Sequence, residues 1–300
     1  MKRIVSVSLG SSKRDHRVEV EFLGQPVIIE RIGTNGDLQK AVQMVKELDG
    51  KVDAFGMGGI DLYLFAGSKR YKVRDAARIA KAARQTPMLD GSGLKNTLER
   101  GVVDYLQNQL QMDLQGKKVL MVSAVDRFGM AEAFTKAGCQ MVFGDLIFAL
   151  GIPVPITRLR TLRVLAYSLL PLITKLPFTL LYPTGSKQEK DTPKYAKYYQ
   201  AADIIAGDFL YIKKYMPRDL KGKIIISNTV TAADIEELKK RGVSLLVTST
   251  PEFNGRSFGT NVIEALLVSF SGKRPEELKA SDYLKLLNDL KFEPRVVKLA

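Results

Sequence analysis

The chain has 300 residues, 45% hydrophobic and 26% charged, with 46 Lys and Arg against 32 Asp and Glu for a formal net charge of +14. That length exceeds the usual single core, and the composition is globular rather than disordered or fibrous. One cysteine, Cys139, excludes an intrachain disulfide framework, and one histidine, His16, leaves no Cys/His set for a metal. No disulfide framework and no secretory h-region at the N-terminus lead to the expectation of a cytoplasmic protein. The basic balance favours anionic ligands, with solvated lysine faces as the plainer explanation; nucleic acid is not an expected partner.

Residues 3–8 read as a first strand running into Leu9-Gly10-Ser11-Ser12-Lys13. Ser11, Ser12 and Lys13 offer hydroxyl and ammonium donors to an anionic small-molecule substrate, or else form a polar hairpin loop. Strands are expected at 17–22 and 27–32. Leu38, Val42, Val45 and Leu48 make a helical stripe that Gly50 ends. A short strand at 52–55 leads into Gly56-Met57-Gly58-Gly59-Ile60-Asp61, a candidate ligand wall in which Asp61 orients a substrate hydroxyl or simply forms the turn. An alanine-rich basic helix follows at 73–84. The turn Asp90-Gly91-Ser92-Gly93-Leu94-Lys95-Asn96-Thr97 then precedes a helix from about 98 to 110. Lys95 in that turn suits a general acid or base held by a carboxylate; the alternative is a solvated turn capping the helix through Asn96 or Thr97.

Residues 116–145 have the order of a parallel βαβ unit: the apolar run 119–122, the turn 123–129, a helical pattern at 130–137 stopped by Gly138, and a second apolar run at 141–143. Ligands sit beyond the carboxyl end of such a strand, so Ser123, Asp126, Arg127, Phe128 and Gly129 are candidate cofactor contacts. Arg127 can pair with a phosphate, and Asp145, 22 positions after Ser123, has the spacing of an acid that accepts from ribose hydroxyls. Only Gly129 represents the glycines of a G-x-G-x-x-G turn, which leaves a plain structural βα turn as the alternative.

No acidic residue lies between Asp145 and Glu189, while Arg158, Arg160, Arg163 and Lys175 do. Leu159, Leu162, Leu165, Ala166, Leu169 and Leu170 form an apolar stripe interrupted by Pro171 and Pro177, too short to span a bilayer. It is expected to pack on the core or on a second subunit, giving a homo-oligomer through 156–180; a membrane surface is not an expected partner. Thr184-Gly185-Ser186-Lys187 opens a polar loop able to cover the site. Strand–loop–helix units resume at 203–208, 223–227, 232–241 and 244–247, so the loops at 123–129, 207–209, 227–231 and 248–261 share one rim. Thr248 begins the last of these and joins the cofactor contacts, and Arg256 within it is an anion partner. A helix at 262–270 and an amphipathic tail at 275–290 complete the chain.

Asn96-Thr97-Leu98-Glu99-Arg100-Gly101 and the helix after it resemble the Asn-Thr-Asp segment of the shikimate and quinate dehydrogenase group. Residues 228–272 resemble that family's last strand–loop–helix, closing on Phe270-Ser271-Gly272-Lys273-Arg274-Pro275, and Ser8-Leu9-Gly10-Ser11-Ser12 is similar to its carboxylate-binding serines. The chain departs from the family at Leu98, which stands at the catalytic aspartate position, and at 123–129, which replaces the glycine-rich turn; Lys95 matches the lysine motif loosely. The resemblance implies an α/β protein of two lobes: a substrate lobe at 1–114, on which 273–300 packs back, and a Rossmann-like lobe at 115–272 with an insertion near 146–200. It also implies an NAD(P)-dependent oxidoreductase of the quinate 5-dehydrogenase type acting on a small hydroxylated carboxylate. Lys95 would move the proton, Asp90 or Asp61 would orient it, and Ser11, Ser12, Lys13, Asn96 and Arg256 would hold the substrate. Asp145 favours NAD over NADP, because a 2′-phosphate would meet a like charge. The alternative is a non-catalytic nucleotide- or metabolite-binding protein on the same scaffold.

Overall fold

The computed structural model describes residues 1–300 apart from 68, 182–193, 229, 251, 254–255, 290–291 and 300; the side chains of Asn96, Leu180, Leu181, Glu252, Phe253, Arg256 and Ser257 are likewise outside the description. The first lobe is built on β1 (Lys2–Ser8), whose last five residues are all buried, as a strand covered on both faces requires. β2 (His16–Phe22) and β3 (Gln25–Gly33) form a hairpin whose turn residues Leu23 and Gly24 both take positive φ, the pattern that matches strand twist. After α1 (Leu38–Leu48), capped by the Asp37 side chain, come β4 (Ala54–Gly58), the hairpin β5 (Tyr63–Ala66) and β6 (Lys69–Lys72), α2 (Arg74–Ala80) and β7 (Met88–Leu89). The sheet order is β2-β3-β1-β4-β7, parallel except for β2.

Helix α3 (Ser92–Asn108) carries the chain into the second lobe. There β8 (Lys118–Met121), α4 (Phe128–Lys136) and β9 (Gln140–Phe143) form the expected βαβ unit. The insertion supplies α5 (Leu159–Ile173), α6 (Phe178–Leu181) and α7 (Ala196–Ala201). β10 (Ile204–Ala206), α8 (Phe209–Tyr215), β11 (Ile224–Ser227), α9 (Ala232–Lys240) and β12 (Leu245–Thr248) continue the alternation. A small ribbon, β13 (Glu252–Phe253) with β14 (Arg256–Ser257), precedes α10 (Thr260–Ser271), α11 (Ala280–Asp289) and β15 (Arg295–Lys298). The second sheet runs β9-β8-β10-β11-β12-β15, all parallel until β15, so the protein is a two-lobed α/β molecule.

Both sheets reverse their strand order at a point where a ligand cleft forms. In the first lobe the neighbours of β1 are β3 and β4; in the second, β8 is followed on one side by β9 and on the other by β10. Loops leaving the two strands at such a reversal diverge and open a crevice at their carboxyl ends.

Three expectations are corrected here. Helix α10, expected to close the second lobe, packs on the first: Val262 through Val268 are buried without interruption, and a helix apolar all round must be covered, here by β1, β4, α3 and α11. The tail divides, with Tyr283 and Leu287 of α11 joining the core under the first sheet while β15 pairs antiparallel with β12 in the second. Pro171 does not end α5, which runs on to Ile173. Its face Leu162 packs in the second-lobe core and Ala166 and Leu170 in the first, so this helix joins the lobes. Among the described residues no helix is long and apolar enough to cross a membrane.

Candidate functional site between the lobes

The two reversal points face each other across a cleft of roughly 170 Å³. Its first-lobe wall comes from Ser6 and Ser8 at the end of β1, residues 58–61 after β4, Arg14, Arg31 and Lys95; its second-lobe wall comes from Asp126 and Arg127 after β8, Asp208 to Tyr211 after β10, and Asn228 after β11. Arg31 spans the floor of the basic side, donating to Ser8 Oγ at 2.9 Å and to Asp15 Oδ1 at 2.8 Å. Asn261, at the start of α10, donates to Ser6 Oγ at 2.9 Å. Gly59 holds φ +73°, and a Cβ there would lie 2.8 Å from the Gly10 amide, so this turn is glycine because the loops after β1 and β4 touch.

Lys95 and Asp61 form a close ion pair at the centre of the cleft, their side chains only 12% and 15% exposed. Burial opposes the Lys95 ammonium, but Asp61 and then Asp126 outweigh it and hold its pKa above the ordinary lysine value. Lys95 is therefore a charged donor, not a base. It lies inside α3, which starts at Ser92 rather than near 98, because Gly91 with φ +89° turns the chain early where a Cβ would strike the Asn261 amide at 2.7 Å. Asn96 and Thr97 are thus within the helix, whose N-cap position is Gly91.

Asp90, the other candidate partner for Lys95, serves the backbone instead. Its carboxylate accepts from the amides of Leu62 at 2.8 Å, Tyr63 at 3.0 Å and Ser92 at 3.0 Å. Ser11, Ser12 and Lys13 also leave the substrate role: Ser11 Oγ accepts from the Lys13 amide, Ser12 pairs with Asn35, and the cleft is lined by Ser6, Ser8, Arg14 and Arg31 in their place. The side chains of Asn96 and Arg256 and the loop at 184–187 lie outside the described residues. Ser8 belongs to the serine segment noted in the sequence, whereas the signal for Arg31 was hidden, since it sits within a strand and not in a loop rich in small polar residues.

A dinucleotide does not fit the loop 123–129 as it stands. A pyrophosphate is held by free backbone amides near a helix N-terminus. Here Asp145 Oδ1 accepts from the amides of Ala124 at 2.9 Å and Val125 at 3.0 Å, so the loop is filled by its own carboxylate and Asp145 faces inward rather than toward a ribose. Arg127 is 2% exposed and committed to Glu99, Asp126 and Asp208, which keep it charged against the cost of burial. Phe128 and Gly129 are buried in the first turn of α4, and Thr248, fully buried, donates to the Thr250 carbonyl at 2.9 Å. Of the expected cofactor contacts, Ser123, Asp126 and Asp145 line an open space beside this internal network. Burial pushes the Asp145 carboxyl up to about 6 despite the two amides. Among the described residues no cluster of His, Cys, Asp and Glu could hold a metal ion.

Over its whole length the chain is similar in shape to several two-lobed proteins at low identity. A crystal structure of a galactofuranose binding protein matches at 13% identity over 97% of this chain and 99% of that one, with a TM-score of 0.38. NAD-dependent malic enzyme from Thermotoga maritima matches at 14% identity over 97% and 84%, with a TM-score of 0.35. A glutamate dehydrogenase variant matches at 11% identity over 96% and 72%, with a TM-score of 0.46. No curated protein matches the sequence. Residues 3–90 match the model described as Domain of unknown function (DUF8753). Residues 93–299, from the first turn of α3 through β15 and more than half of the chain, match the model described as Domain of unknown function (DUF8754), and the protein belongs to that family.

Proposed function

We propose that the protein binds a small hydroxylated carboxylate in the interlobe cleft and presents it with a proton from Lys95. The observation that carries this reading is the Lys95–Asp61 pair, set between a basic wall of Arg14 and Arg31 and an acidic wall of Asp126 and Asp208. A carboxylate suits the guanidinium side, where Arg31 is already oriented by Ser8 and Asp15. Hydroxyls suit the other side, because carboxyl oxygens accept their hydrogen bonds. Lys95, kept charged by Asp61 and Asp126, donates to a ligand oxygen and stabilises negative charge developing there. Calorimetric titration with quinate tests this: heat of binding that disappears in Arg31→Ala supports it, and equal binding by the variant removes it.

The second reading is an NAD(P)-dependent dehydrogenase of the shikimate and quinate type. It is favoured by the position of Lys95 on the same cleft as Asp126 of the loop 123–129, and opposed by Asp145 on that loop's amides. Titration with NAD and NADP separates the two, since the first reading expects no heat from either at millimolar concentration.

A further inference from the structure

A second cavity, of roughly 160 Å³, opens over the carboxyl ends of β8 and β9, where a nucleotide-binding lobe would carry its cofactor. Helix α5 forms one side with Leu162, Leu165, Leu169 and Ile173, and Leu146 and Leu150 form the other. The lining is almost wholly hydrocarbon except at one end. There the side-chain oxygens Ser123 Oγ, Asp126 Oδ1 and Asp145 Oδ2 are buried without a hydrogen-bond partner among the described residues. That same end shares Asp61, Asp126 and Tyr211 with the polar cleft.

Buried oxygens of this kind are costly to leave without a donor. Two of the three belong to carboxylates, which accept and do not donate once ionised. The missing group is therefore a hydrogen-bond donor, and the rest of the space asks for hydrocarbon. We infer that this cavity binds an amphiphile, its hydroxyl-bearing head against Ser123, Asp126 and Asp145 and its short aliphatic chain along α5. An anionic head meets the Asp145 carboxylate and is rejected, which is also why the loop does not suit a pyrophosphate. Burial raises both carboxyls, Asp145 to about 6, so at pH 8 the Asp145 carboxylate is ionised and only accepts. The inference shares Asp126 with the quinate proposal but not Arg31 or Ser8, which do not line this cavity, so the two are separated through the arginine.

The test is calorimetric titration of the intact protein at pH 8, below micellar concentrations, with monobutanoyl, monohexanoyl and monooctanoyl glycerol and with octanoate. Glyceride affinity is expected to rise about fourfold per added methylene, with octanoate far weaker than the octanoyl glyceride. Ala149 is an exposed lining residue, so Ala149→Trp fills the cavity from outside the core and is expected to abolish the chain-length dependence. Quinate heat is expected to persist in that variant, which keeps failure of the two sites distinguishable. Affinity independent of chain length, octanoate binding as tightly as the glyceride, or an unchanged response in Ala149→Trp would each overturn the inference.

Discussion

Lys95 and Asp61 hold each other in a region with little solvent, and removing one leaves the other uncompensated. Lys95→Met is expected to destabilise the fold by about 3 kcal/mol, with part recovered when Asp61→Asn is added; additive losses in urea titrations would show that the two do not act as a pair. Asp145 invites the opposite experiment. Asp145→Ala vacates the amides of Ala124 and Val125, so inorganic pyrophosphate should bind this variant and not the parent, and a variant that remains silent would contradict the account of the loop. Glu264 is 3% exposed and accepts from the Tyr283 hydroxyl at 2.7 Å. Burial first, and then Asp90, push its carboxyl from 4.5 up to about 7. The folded state thus holds this proton more tightly than the unfolded chain. Its contribution favours folding below pH 4.5 and is lost as pH rises toward 7, an effect on the order of 3 kcal/mol. Glu264→Gln is expected to flatten that slope in stability measured against pH, and an identical slope would assign it elsewhere. The sequence showed Lys95 and Asp61 as chemistry-bearing residues, and the 22-residue spacing singled out Asp145. It was silent on which way the Asp145 carboxylate turns, because spacing along the chain does not distinguish a ribose acceptor from an amide cap.

Strands and helices with strong periodicity were legible in advance: β1, α1, β8, β9 and α9 lie within a few residues of their expected positions. The hairpin of β5 and β6 was not, since its apolar and basic residues mimic a loop beside a basic helix; Arg70 stacks 4.6 Å from the centre of the Tyr63 ring to hold it. Strand β15 escaped for a related reason. Four residues of mixed character become a strand only because β12 offers a free edge. The contact of β4 with α10 is equally tertiary. A Cβ on Gly56 would lie 2.8 Å from Asn261 Nδ2 and 3.3 Å from its carbonyl oxygen. Gly56→Ala is expected to cost about 2 kcal/mol and to weaken quinate binding by moving Asn261 off Ser6; full stability in denaturant titration would contradict this close approach.

The molecule as a whole sets two strand-order reversals against each other, with α3 and α5 crossing between the sheets. That arrangement makes a polar cleft lined by Arg14, Arg31 and Lys95 from the first lobe and by Asp126 and Asp208 from the second, beside an apolar cavity over the carboxyl ends of β8 and β9. Two lobes and parallel sheets could be read from the alternation of elements. The ownership of α10 and the use of α5 as a bridge could not, because both depend on which apolar faces meet in space. The most direct test of the account is calorimetric titration of quinate into the protein with and without saturating NAD. Quinate heat is expected to be unchanged by NAD and to be lost in Arg31→Ala. Tight NAD binding, with quinate heat appearing only in its presence, would contradict it.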